Sequence, residues 1–251
     1  MRAAMLLMLF TGIAAYGGEP AFTANFPLKS CRFTPHEGNQ YFPLKPGRQL
    51  YYNNAKCVAE GECEELEELW ITTEFDTRRV TIGSGKNRQQ VITRVVEERE
   101  TEDGDLKEIS RNYFSVCAPA RDLYYFGEEV DIYEEGEIVS HDGAWLAGRN
   151  GALPGIIMPD SAFLLGTRYF QEQAAGVALD RAEHVATGLQ LMLPAGTFKG
   201  CIKTVETSPL EPGAESIKFY CPGVGMVIDN DLELAAIYGR GGRGGDDDDD
   251  D

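Results

Sequence analysis

From Leu69 to Val116 turn signals cut the chain into runs of about ten residues, and no helical segment lies between them that could carry a crossover. The cuts are GSGKNR at 83–88 and EDGD at 102–105, and Asp103-Gly104 is among the strongest hairpin signals a sequence holds. Strands joined this closely run antiparallel, so the expected architecture is mainly β: an antiparallel meander in an open, curved sheet with little helix. The runs read as strands are 49–52, 69–75, 79–82, 89–100 and 106–116, followed later by 189–193, 199–207, 216–221, 224–228 and 232–238. Segments 167–173 and 178–187 read as two strands or as a strand and a short helix. The acidic stretch 60–68 reads as a solvated loop.

The stretch from Tyr124 to Pro159 mixes strand formers with six glycines, and after His141 it reads as an ordered loop laid over a core. The chain opens with an apolar run, Ala3 to Phe10, followed by small residues, the pattern of a secretory leader over 1–17. That run is too short to span a bilayer. One β domain over 18–239 follows, then a Gly-rich linker with a poly-Asp end at 240–251. The expected location is therefore secreted or periplasmic. A net charge of −18 disfavours nucleic acid and anionic membranes as partners, and makes cations the natural counterpart.

Six cysteines in an exported chain favour three disulfides. Cys57 and Cys63 are near enough to close a small loop, Cys201 and Cys221 face each other across a Pro-Gly turn, and Cys31 is left for Cys117. A thiolate zinc site lacks its usual Cys-x-x-Cys pair.

Several stretches together resemble a family of exported bacterial β-rich proteins that has no assigned activity. They are FPLKPG (Phe42 to Gly47), YYFGE (Tyr124 to Glu128), AWLAGRNGALPGIIMP (Ala144 to Pro159), LPAGTFKGC (Leu193 to Cys201) and KFYCPGVGMV (Lys218 to Val227). The resemblance spans nearly the whole mature chain and implies an open or half β-barrel. It supplies no catalytic residues. The Asp tail and the Cys57 to Cys63 loop depart from the family pattern.

No sequence motif marks a catalytic centre. The nucleophile elbow G-x-S-x-G is absent and there are only three histidines, so a non-catalytic binding protein is the expected class, for an apolar small molecule or a protein partner. Tyr125, Trp145 and Tyr169, from the aromatic middle third, are the candidate ligand-binding residues. A second reading is a divalent cation such as calcium, held by Glu172, Asp180 and Glu183 or recruited loosely by the acidic tail. At helical spacing Asp180, Glu183 and His184 share a face, whereas at strand spacing Glu183 points away from the other two. A third reading is a hydrolase with a carboxylate pair, although the sequence does not select the pair.

Overall fold

The computed structural model describes residues 21–118, 120–160 and 165–239. The expected leader and the poly-Asp tail lie outside these residues. Strand makes up 61% and helix 6%, so the mainly β, antiparallel expectation holds. Among the described residues no helix is long and apolar enough to cross a membrane.

Thirteen strands follow one path: β1 (Gln49–Asn53), β2 (Glu67–Ile82), β3 (Gln89–Glu102), β4 (Asp105–Cys117), β5 (Asp122–Glu134), β6 (Leu153–Met158), β7 (Arg168–Phe170), β8 (Glu172–Gln173), β9 (Arg181–Leu193), β10 (Gly196–Thr207), β11 (Ser216–Cys221), β12 (Gly225–Asp229) and β13 (Leu232–Tyr238). Their order is β7-β9-β10-β11-β12-β13-β1-β2-β3-β4-β5-β6-β8. The first and last members of that path are separated in sequence by Gln171 alone. The sheet thus curls further than a half-barrel, into a nearly closed barrel with one unsealed seam. The ladders across β2 to β4 follow the predicted hairpins, and Asp103 and Gly104 take the positive φ values, 48° and 89°, that their turn requires.

Gly155 lets β6 lie against the seam. A Cβ on this residue would sit 2.3 Å from the Phe170 carbonyl oxygen and 2.5 Å from that of Gln171, so any side chain would push the two edges apart. The segment from Phe22 to Phe33 lies along the outside of the wall. Thr23 pairs with Tyr169, Phe22 lies beneath the Arg181 guanidinium at 4.4 Å, and Phe33 meets Tyr124 and Phe126 edge-on at 5.4 and 5.0 Å. Cys31–Cys117 ties this cover to β4, and Cys57–Cys63 and Cys201–Cys221 complete the three expected disulfides. Such bridges persist in an oxidising compartment.

Local readings change in three places, the first being that 178–187 and 189–193 run on as one strand, β9 (Arg181–Leu193). Residues 69–75 and 79–82 belong to one strand, β2, interrupted by a bulge between Thr73 and Thr77. The side chain of Arg94, only 4% exposed, holds the bulge open by donating to the carbonyls of Glu74, Phe75 and Asp76 at 3.3, 2.8 and 3.3 Å, and to that of Pro35 at 3.2 Å. A short helix, Ala55–Glu60, precedes the acidic loop and ends at Gly61 in the left-handed conformation. Six residues are too few to leave a periodic signature.

Candidate functional site

Strand alternation sends every second side chain into the barrel, and register decides which ones meet there. Along β3 the inward series is Val96, Glu98, Glu100, and along β4 it is Asn112, Ser110, Glu108. Ile71, Glu98 and Ser110 stand in one cross-strand row, and Thr73, Val96, Asn112 and Glu128 in the next. The interior therefore changes character along the barrel axis. One end is apolar, where Phe42 and Pro43 turn in beneath Leu50, Phe114, Tyr220 and Met226. The other end is acidic.

Between them lies a cavity of about 230 Å³. Seven carboxylates line it (Glu98, Glu108, Glu128, Glu172, Asp180, Glu206 and Asp229), against two basic side chains, Arg48 and Lys218. Both basic groups are engaged. Lys218 Nζ lies 3.1 Å from Glu206 and 3.4 Å from Asp229, and Arg48 donates to the Val224 carbonyl. Among the ion pairs of the described residues, none involves Glu98, Glu108, Glu128 or Glu172.

Enclosure of these acids by the barrel wall is the main reason their pKa values rise. Glu98 is pushed up to about 8, with Lys218 pulling it part of the way back. Glu128 is pushed up to about 7, with the Tyr125 hydroxyl and the Trp145 indole acting against the rise. Glu172, 2% exposed, stands well above the ordinary range although it accepts the Asp180 backbone N–H.

A carboxyl whose pKa is higher folded than unfolded holds a proton that the unfolded chain has released, so stability declines as pH climbs between the two values. For Glu98 and Glu128 that window runs from the ordinary 4.5 to about 8 and about 7. The expected result is a protein about 2 kcal/mol more stable near pH 5.5 than near pH 8.5, allowing for water in the lumen. Glu98→Gln should flatten the profile and raise the melting temperature at the alkaline end. Thermal melts across the window check this, and a profile that rises with pH would contradict the burial of these acids.

The residues singled out from sequence are dispersed. Tyr125 is on the lumen wall, its hydroxyl donating to Asn112 and its ring stacked on Phe114 at 5.0 Å. Trp145 packs edge-on against Tyr125 at 5.1 Å but faces a neighbouring groove with Arg78 and Tyr113. Tyr169 is a buried packing residue, 3.0 Å from His184 Nε2 through its hydroxyl, and it does not line the lumen. Glu172 and Asp180 do line it, whereas Glu183 pairs with Arg168 at 2.7 Å, as strand spacing anticipated. Of the glycine-rich crossing 144–159, only Ile157 reaches the cavity; the Tyr41 to Leu44 turn and residues 171–180 close it instead.

Hard cations want several oxygens gathered within a few ångströms. Among the described residues the one group of three histidine, cysteine or carboxylate side chains close enough to share an ion is Cys57, Cys63 and Asp231, and its two sulfurs are joined in a disulfide. The lumen carboxylates are spread around the wall instead.

Sequence reasoning missed Glu98, Glu108, Glu206, Lys218 and Asp229. The available signal was phase: on β3 and β4 the acids fall on the same alternate positions as Val96 and Asn112.

Fold and site together define a nearly closed antiparallel β-barrel whose lumen is lined by acids and by apolar side chains. No family model matches the chain, and neither a curated protein nor a solved structure matches it.

Proposed function

We propose that this is an exported, non-catalytic binding protein, secreted or periplasmic, whose lumen takes a small amphipathic cation. The observation that carries this reading is the pairing of an apolar floor with a wall of seven carboxylates that outnumber the lumen's basic groups. An ammonium group among Glu98, Glu108, Glu128 and Glu172 would gain charge-assisted hydrogen bonds and restore these acids to their ionised form, while its apolar portion rests on Phe42, Phe114 and Tyr125. The resemblance to an exported β-rich family and the three disulfides support the location.

The test is calorimetric titration with primary alkylamines and with alcohols of the same chain length. Amines are expected to bind at least about tenfold more tightly, the value of one charge-assisted hydrogen bond. Equal binding of amine and alcohol, or binding of neither, would overturn the reading. Calcium run alongside tests the divalent alternative, which the dispersed carboxylates do not favour.

A further inference from the structure

The lumen already holds an ammonium group, and it belongs to the chain. Lys218 Nζ sits between Glu206 Oε2 at 3.1 Å and Asp229 Oδ2 at 3.4 Å. The other oxygen of each acid is occupied by a neutral donor: Gln171 Nε2 donates to Glu206 Oε1 at 2.8 Å, and Ser216 Oγ donates to Asp229 Oδ1 at 3.3 Å. Each carboxylate is thereby fixed in orientation with one oxygen turned to the ammonium, which is how a preorganised cation subsite is built. Register explains the placement, since Lys218 lies opposite Thr204 on one side and Asp229 on the other, with Glu206 one inward position along β10. The subsite opens on the same cavity as Glu98, Glu108 and Glu172.

We propose that Lys218 is a specificity residue: it fills one of two ammonium subsites in the lumen and so restricts the ligand to a single cationic group. The inference rests on the lumen being a cation site. With Lys218 in place, a second ammonium on a ligand meets an occupied position and a like charge. With Lys218 removed, the Glu206–Asp229 pair is free to take it, and a diamine gains a contact that a monoamine cannot make.

The experiment compares α,ω-diaminoalkanes of graded length with monoamines of equal carbon number, titrated into the wild-type protein, K218M and the triple variant E206Q/K218M/D229N. Wild type is expected to show no preference for the diamine. K218M is expected to prefer the best-fitting diamine by about tenfold or more, and the triple variant, lacking the subsite charges, to lose that preference. Monoamine binding to both proteins with K218M keeping the wild-type ratio overturns this proposal and leaves the cation reading standing; absence of any amine binding overturns both. If K218M does not fold, as judged by circular dichroism, E206Q/D229N carries the same test. There Lys218 loses its partners and competes for the remaining lumen acids, so monoamine affinity should drop several-fold, and an unchanged affinity overturns the proposal.

Discussion

Replacing Cys31 and Cys117 together with serine is expected to lower stability by about 4–5 kcal/mol, the largest loss among the three disulfides. The bridge spans 86 residues, against 20 for Cys201–Cys221 and 6 for Cys57–Cys63. In the chain-entropy account the penalty lifted from the unfolded state grows with the logarithm of the closed loop, giving about 3 and about 2 kcal/mol for the shorter two. A second effect points the same way. Cys31 anchors the segment carrying Phe26 and Phe33, whose rings cover Tyr124 and Phe126 on the outer wall. Urea titrations of the three double-serine variants check the ranking, and a loss for Cys31/Cys117 no larger than for Cys57/Cys63 would count against it.

Arg94→Met should cost about 3 kcal/mol. The guanidinium is buried and satisfies carbonyls from two separate segments, the β2 bulge and Pro35. Methionine fills much of the same volume without a donor, so those acceptors are left without their partner inside the protein, at about 1–3 kcal/mol for each that finds no water. Arg94→Lys should recover only a fraction, because an ammonium cannot span the fork of acceptors. The readout is the urea midpoint at constant slope. A change below about 1 kcal/mol for Arg94→Met would mean that the bulge is held by other contacts.

The Cys31–Cys117 bridge and Arg94 mark where the sequence was readable and where it was not. The disulfide pairs followed from spacing and compartment, and the β3–β4 hairpin from Asp103-Gly104, because both are set by chemistry within a short stretch or by covalent bonding. The bulge at 74–76 carries neither glycine nor proline; its shape comes from Arg94 on the neighbouring strand, reaching it through the fold. The lumen acids were hidden for a related reason. A glutamate on a strand ordinarily marks a solvated face, and Glu98, Glu108 and Glu206 face inward only because the sheet curls back until β7 and β8 adjoin. Tyr169 and Trp145 had the composition of ligand contacts, but periodicity does not distinguish a packing aromatic from a lining one.

The seam also fixes how the chain must assemble. Because the gap falls between sequence neighbours, the strands up to β6 and those from β9 onward each pair with partners near in sequence, whereas along the thirteen-strand path the one distant pairing is β13 against β1, with Leu234 opposite Tyr52. Joining ends so far apart carries a large loop-closure entropy and follows the local pairings. Until the last strand is in place, β1 therefore presents a bare hydrogen-bonding edge, and this is the period in which the polypeptide is most open to association with other unfinished copies.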